Sequence, residues 1–369
     1  MNKIKILHLL PSLEFGGMEN ALVNLINGLD EQVFENVIYC FDSLREDEPL
    51  RKKIRSESIN IYSSYKGDRI DWFLPLKLRT ILRKEAIDII HTRDWAATFY
   101  GTLAAKLTGV RVIADIRGRI PPVEGQKLKK FSHFISAIVA VSNDIKTLLS
   151  SEYGLISSKI TTIHNGIDIS RYNGAGEHRD CRAEFGFAPD DFIIGTIGRM
   201  EPVKDYGTLL TACAPPMQQN PHIRCLMVGD GSERERLQGL AAELGIDARV
   251  TFTGFREDVN PILRTMNLFL LTSISEGISN VLLEAMASGL PVIASDVGGT
   301  PEIISHEKNG ILVPARNVEL LSEQIRLLSE DPNRQRMLGN NARESIRSAF
   351  SFSKMIAEYS YLYAQTLGN

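Results

Sequence analysis

Short apolar runs rich in Ile and Val alternate with amphipathic stretches of helical period along the whole chain. That is the rhythm of βαβ units and a mostly parallel sheet. In the first half, strands are expected at 4–10 (IKILHLL), 36–41, 59–62, 87–92, 110–115, 137–142 and 159–164. Leu22, Leu25, Ile26 and Leu29 recur at the spacing of one helix face and predict a helix from Gly17 to about Leu29. In the segment 164–180, HNGIDISRYNGAGEHRD, Gly, Asn and Asp cluster and apolar residues thin out, which marks a hinge. The rhythm then restarts, with strands expected at 192–198, 223–229, 249–254, 266–273, 291–295 and 310–314. The predicted fold class is α/β: two doubly wound, Rossmann-like domains of similar size facing each other across a cleft. Ligands of such sheets sit beyond the carboxyl ends of the strands.

A chain of 369 residues is too long for one ordinary core, which agrees with two domains. With 43% hydrophobic and 24% charged residues and no low-complexity tract, disorder is excluded. A formal charge of −3 leaves no global basic field, so no nucleic-acid partner is expected. The opening MNKIKILHLLPSLEF has a short greasy run, but Pro11 and Glu14 interrupt it and it reads as a first strand rather than an export signal. No run approaches the ~20 apolar residues that span a bilayer. Cys40, Cys181, Cys213 and Cys225 lie far apart without metal spacing, as free thiols of a reducing cytoplasm do.

One acid stands out. Between Glu276 and Asp296 the only charged side chain is Glu284, set among Val281, Leu282, Leu283, Ala285 and Met286. An ionised carboxylate there is costly unless it is paired or opens on a wet cleft. Four other stretches follow expected strands and should converge on one rim. GRMEPVK places Arg199 and Lys204 there, VGDGSERERL makes a turn, TGFREDV follows the third strand, and SISEGISN leads into a helix beginning around Ser279. Two cations with the amides of Gly277, Ile278, Ser279 and Asn280 would suit a diphosphate. Taken singly, Arg199 and Lys204 read equally well as surface charges, and Glu284 as one half of a structural pair.

The segment Glu276-Gly-Ile-Ser-Asn-Val-Leu-Leu-Glu284 resembles the E-x7-E motif of the retaining family 4 glycosyltransferases, which have the GT-B fold. FGGMENALVNLINGL, AVSNDIKTLL, IHNGID, GRMEPVKD, MVGDG, FTGFREDV and EGISNVLLEAMASGLPVIASDVGGTPEII extend the resemblance over almost the whole chain. It implies an acceptor domain over 1–168, a nucleotide-sugar donor domain over 169–350, and a terminal helix in 351–369 packing back on the first domain. It further implies that Arg199 and Lys204 hold the diphosphate of a UDP- or GDP-linked sugar, that Glu284 accepts from the ribose hydroxyls, and that Glu276 lies against the transferred sugar. Backbone groups of Gly254, Phe255 and Arg256 would meet the base. Fixed cations can stabilise the leaving diphosphate without a metal. No cofactor or metal is expected: REDEPL (45–50) has acidic spacing but follows no strand.

For the acceptor, the resemblance points to Gly16 and Gly17 at the start of the first helix. Where the family has a His after the fifth strand, IADIRGR places Arg117, and His91 lies one strand away. Arg93, Arg117 and Arg119 all follow strand ends. They are expected either to form a cationic patch for a phosphate-bearing acceptor such as a polyprenyl-diphosphate-linked sugar, or to pair with Asp94 and Asp115. The segment KLKKFSHFI (127–135) is expected either to rest on an anionic membrane or to form a two-sided surface helix. The implied activity is sugar transfer in bacterial surface-polysaccharide assembly, in the cytoplasm or at the inner face of the membrane. A GT-B nucleotide-sugar epimerase and a non-catalytic two-domain sugar-binding protein are the alternatives. A nicotinamide dehydrogenase would want G-x-G-x-x-G after the first strand, which PSLEFGGMEN lacks.

Overall fold

The computed structural model describes residues 3–13, 17–42, 50–56, 59–65, 70–172 and 181–368. Thirteen strands form at the thirteen expected places, with ends shifted by no more than two residues. They are β1 (Ile4–Leu10), β2 (Phe34–Cys40), β3 (Asn60–Ser63), β4 (Ile89–Thr92), β5 (Arg111–Ile116), β6 (Ala137–Ala140), β7 (Ile160–Thr162), β8 (Phe192–Ile197), β9 (Ile223–Val228), β10 (Val250–Gly254), β11 (Leu268–Leu271), β12 (Val292–Ser295) and β13 (Ile311–Val313). The first helix runs Gly17–Gly28, one residue short of expectation.

Among the described residues every strand pairing is parallel. One sheet runs in the order β3-β2-β1-β4-β5-β6-β7 and the other β10-β9-β8-β11-β12-β13. Both reverse direction beside their first strand in the chain, which creates a topological switch point in each. The interior strands of each sheet are buried on both faces, which explains why they read as unbroken Ile and Val runs rather than alternating ones. The chain divides into two compact units, Met1–Gly166 with Phe352–Asn369, and Ile167–Ser351.

In the second unit Leu209, Leu210 and Met217 of the helix Tyr206–Gln219 bury against Cys225 and Met227 of β9 and Leu268 and Leu270 of β11. In the first, the terminal helix Phe352–Leu367 buries Met355, Tyr359, Leu362 and Tyr363 against Ile6, Leu25, Phe34, Ile89 and Ile113. All four cysteines are buried, and none is joined in a disulfide.

The same terminal helix closes over a buried charge cluster at β4 and β5. Four groups converge on Oδ2 of Asp115: the Tyr359 hydroxyl donates at 2.9 Å, Arg117 Nη1 donates at 2.9 Å, Arg93 Nη1 lies at 3.2 Å and His91 Nε2 at 3.6 Å. Arg117 also donates to Asn165, and His91 Nδ1 shares a 2.7 Å hydrogen bond with the Tyr363 hydroxyl. Burial alone would push the Asp115 pKa up, but Arg117 and Arg93 outweigh it and hold the carboxyl well below its usual range. Losing one partner of such a set strands the rest without water, which is why buried pairs are costly to break.

Of the two acceptor-side expectations for these arginines, the described residues show pairing with Asp115 and not a cationic patch. Arg93 is 3% exposed and His91 fully buried, so neither reaches a ligand at the surface. Arg117, expected in the catalytic place, is turned inward onto Asp115 with its side chain 11% exposed. Arg119 points elsewhere, its guanidinium 3.6 Å from Glu152. The three arginines form no common patch, because Asp115 draws two of them into the interior. In 127–135, Leu128 is buried in the helix Pro122–Phe131, and Phe131 packs on Trp95 and Phe99 at 6.1 and 5.6 Å between ring centroids. The lysines of that segment remain exposed while most of its apolar members turn in, the pattern of a two-sided surface helix. Gly17 opens the first helix and is exposed, whereas Gly16 and most of REDEPL fall outside the described residues.

His8 on β1 sits opposite His91 in the register, with ring centroids 5.5 Å apart. Burial is the main cause lowering both, His91 to about 4 and His8 well below its ordinary value. The folded form therefore resists protons that the unfolded chain accepts, so this stability is present above pH ~6.5 and is lost as pH falls toward 4. Hydrogen exchange of first-unit amides should show stability falling over that window, by up to about 1.4 kcal/mol per histidine per pH unit. A first unit equally protected at pH 7 and pH 4.5 would contradict the buried neutral pair.

Candidate functional site

Sheet order sets the turns after β10, β9, β8, β11 and β12 side by side at the carboxyl edge of the second unit. Their backbones are stitched directly to one another. Gly229 N–H donates to the Gly254 carbonyl, Gly198 N–H to that of Val228, and Met200 N–H to that of Asp230, at 2.8 to 2.9 Å. The turns pack so closely that a Cβ on Gly229 would lie 2.0 Å from the Gly198 carbonyl oxygen. MVGDG and IGRM thus have glycines where two turns meet, a requirement of close backbone approach.

The turn after β8 carries Arg199, exposed at the rim, and then the short turn Pro202–Lys204. Asp205 takes a left-handed φ of 48° before the helix Tyr206–Gln219. The turn after β11 is fastened to it: Ile274 N–H donates to the Val203 carbonyl at 2.9 Å and the Thr272 hydroxyl to the Lys204 carbonyl at 3.0 Å. These bonds hold Lys204 Nζ 2.5 Å from Glu276 Oε1, and the Ser273 hydroxyl donates to the same oxygen at 2.6 Å. Two residues singled out separately in the sequence, 72 positions apart, therefore form one charge-assisted pair. Both side chains retain some exposure, 22% for Lys204 and 11% for Glu276, so the pair can exchange partners with a ligand.

The chain then runs through Gly277 and Ile278 to Ser279, whose side chain makes no capping bond, and into the helix Asn280–Ala287. Such a helix start carries backbone N–H groups aimed along its axis toward an anion. Leu282, Leu283, Ala285 and Met286 are buried, whereas Glu284 retains partial exposure. Burial nevertheless raises its pKa to about 7, against the opposing pull of a hydrogen bond from the Tyr172 hydroxyl and the charge of Arg171. Burial, and next the Glu284 charge, push the Tyr172 hydroxyl up in turn. Glu284 is thus a carboxyl poised at neutrality, neither locked in an ion pair nor freely solvated.

Of the other expected residues, Gly254 has a left-handed φ of 74°, and Phe255 is 56% exposed at the rim. The Arg256 guanidinium is held by Asp258 and Glu184, each at 2.6 Å, leaving the backbone of this turn as its contribution to a ligand.

Sequence reasoning missed three contributors. Tyr172 lies in the hinge segment, where nothing local marks it as a partner of Glu284. Tyr206 is buried, and burial is the main cause raising its pKa, with the Glu276 charge adding to it. Gly298, with φ 53°, meets the backbone of Glu276 so closely that a Cβ would lie 2.0 Å from that carbonyl oxygen. The VGGT run after β12 was the signal for it. Asp190, Asp191 and His222 could gather a cation, but they lie at the opposite end of the sheet, where Asp191 is engaged by Arg224 at 3.2 Å and by the Ala188 amide at 2.8 Å.

Two outcomes follow for the unliganded protein. Because the folded pKa of Glu284 lies above its unfolded value, its contribution to stability is present below pH ~4.3 and lost as pH rises through 7. Glu284→Gln should remove that slope, about 1.4 kcal/mol per pH unit at most, from second-unit hydrogen exchange. An unchanged slope would place the titration elsewhere. Gly298→Ala should cost about 1–3 kcal/mol through its left-handed φ, with the steric conflict added, as read from urea unfolding.

Residues 178–345 match the family described as Glycosyl transferases group 1, and residues 15–171 match Glycosyltransferase Family 4. N-acetyl-alpha-D-glucosaminyl L-malate synthase of Bacillus anthracis is 29% identical over 323 residues, covering 84% of this chain and 83% of the relative. The UDP-Gal:alpha-D-GlcNAc-diphosphoundecaprenol alpha-1,3-galactosyltransferase of Escherichia coli is 24% identical over 384 residues, covering 100% and 98%. Among solved structures, Anabaena HepE in complex with UDP-glucose superposes with a TM-score of 0.86 at 22% identity, covering 98% of this chain and all of that one. With two parallel sheets and family matches over both halves, the chain belongs to the family 4 glycosyltransferases and has the GT-B fold.

Proposed function

We propose that this protein is a retaining, metal-independent transferase that passes a sugar from a UDP- or GDP-linked donor to a glycan or polyprenyl-diphosphate-linked acceptor in surface-polysaccharide assembly. The observation that carries the reading is the Lys204–Glu276 pair, held one short turn before the helix that bears Glu284. The activity of the Escherichia coli relative and the UDP-glucose in the Anabaena structure support a UDP-linked donor and a lipid-diphosphate acceptor. The donor is assigned to the second unit and the acceptor to the first.

The chemistry follows from the charges. As the anomeric C–O bond breaks, negative charge grows on the departing diphosphate and positive charge on the sugar. Lys204, now on Glu276, transfers its ammonium to the phosphate oxygens, and Arg199 adds a second cation from the same turn. Both charges are in place before the reaction, so they favour the transition state over the ground state. Glu276, released from Lys204, turns its carboxylate to the sugar hydroxyls. Glu284, ionised, accepts from the ribose hydroxyls at the other end of the donor.

Incubation with UDP-linked and GDP-linked sugars and a lipid-diphosphate acceptor should yield a glycosylated product in which the anomeric configuration of the donor is kept, as read by NMR. Inversion would overturn the retaining reading, and hydrolysis or epimerisation of donor without any acceptor product would overturn the transferase reading. Lys204→Ala should lower kcat by about 10²–10³. Glu284→Ala should weaken donor binding roughly ten- to a hundredfold, the worth of one charge-assisted hydrogen bond. Wild-type affinity for an intact nucleotide sugar, whose own phosphates do not titrate near neutrality, should rise with pH through about 7 as Glu284 ionises. A pH-independent affinity would remove the carboxylate from the donor site.

A further inference from the structure

The amino edge of the first sheet carries a cleft that the transfer chemistry does not use. It has a volume of about 670 Å³ and opens where β5, β6 and β7 begin, walled on one side by Leu362, Gln365 and Thr366 at the end of the terminal helix. A recess of that size takes a small organic ligand. Substrates of parallel sheets sit at the opposite, carboxyl edge, so this cleft is a second place for a ligand.

The charged side chains lining it, Lys106, Arg111 and Lys159, are all cationic; His133 stands with them, and no acid lines the cleft among the described residues. Asp88 precedes the β4 residue that pairs with Arg111, but its carboxylate accepts from the Lys5 amide at 2.9 Å and so is turned toward β1. Two of the cations are held in place. Lys159 Nζ donates to the carbonyls of Ser132 and Ile135 at 3.0 and 2.9 Å, and Lys106 Nζ sits 3.5 Å from the centroid of the Phe134 ring. Arg111 opens β5, is exposed, and forms no ion pair among the described residues. Ser136, Ser158 and Thr161 add hydroxyl donors around these groups. Lys106 ends the helix Trp95–Lys106, where a cation suits the helix dipole. That accounts for Lys106 alone, since Arg111 begins a strand.

We propose that this cleft binds a small organic phosphate, with Arg111 and Lys106 taking the phosphate oxygens, and that the ligand fastens the end of the terminal helix to the sheet. Guanidinium and ammonium groups beside hydroxyl donors match the oxygens of a phosphate. The volume calls for an organic body, because inorganic phosphate would leave most of the recess unfilled, and Phe134, 44% exposed, offers that body an apolar wall. Tyr359 and Tyr363 flank Leu362 in the same helix and close over Asp115 and His91, so a ligand against Gln365 and Thr366 steadies the element that covers the buried charges. The inference stands apart from the transferase reading, because binding is measured without sugar donor or acceptor.

The test is hydrogen exchange of the full chain with uridine monophosphate and with glucose 6-phosphate, each titrated to about 5 mM at a constant ionic strength of about 0.15 M. At least one of them should slow exchange in residues 131–137 and 359–367 together. Lys106→Ala with Arg111→Ala should raise the midpoint of that protection at least tenfold. Ser158→Asp, which adds an acid to the cleft and leaves its cations in place, should do the same. Both variants alter exposed side chains, so without ligand they should exchange as wild type does. Arg199→Ala with Lys204→Ala, in the second unit, should move the midpoint less than threefold. Absence of protection in the two segments with both phosphates overturns the proposal. So does protection that survives the Lys106 and Arg111 changes, or equal protection by sodium sulfate, which would make the cleft a general anion sink.

Discussion

A carboxyl loses free energy wherever water is withdrawn from its charge, and Glu284 carries that cost on a helix whose neighbouring positions are Val281, Leu282, Leu283, Ala285 and Met286. The second unit neither removes the acid nor neutralises it with a cation. It offers a tyrosine hydroxyl, the more distant charge of Arg171 and partial access to solvent, which leaves the group balanced near neutrality. A structural carboxyl would be better served by a full ion pair, as Asp115 is in the first unit. The contrast between these two acids supports the proposal that Asp115 holds the fold and that Glu284 meets a ligand.

Around Glu284 the architecture is economical with contacts. Parallel sheet order lines up five turns. Glycines let those turns touch backbone to backbone, and two hydrogen bonds from the turn after β11 to the turn after β8 set Lys204 against Glu276. The unliganded site therefore stores its cation on its own acid. A diphosphate entering such a site meets a lysine already in position and frees a carboxylate as it binds, so preorganisation and release are the same event.

The sequence made the interior strands legible because a strand buried on both faces must be apolar throughout, and each such run found its place. The turns of the second unit were legible because their chemistry is local: Gly229, Gly254, Arg199, Lys204 and Glu276 all sit within a few residues of a strand end. The first-unit arginines stayed open between two readings for the converse reason. Whether Arg93 and Arg117 face a ligand or the interior depends on Tyr359 and Tyr363, more than two hundred residues further along the chain, closing over Asp115. Tyr172 escaped notice likewise, since its partner lies on a helix beyond four further strands.

The account stands on Glu284 accepting hydrogen bonds from a donor pentose, and a double-mutant cycle tests it most directly. Donor affinity is measured for wild type and Glu284→Ala, each with the natural nucleotide sugar and with an analogue lacking both ribose hydroxyls. The account predicts that removing the hydroxyls weakens wild-type binding at least tenfold and leaves the variant almost unaffected. Equal losses in both proteins, or none in wild type, would contradict it.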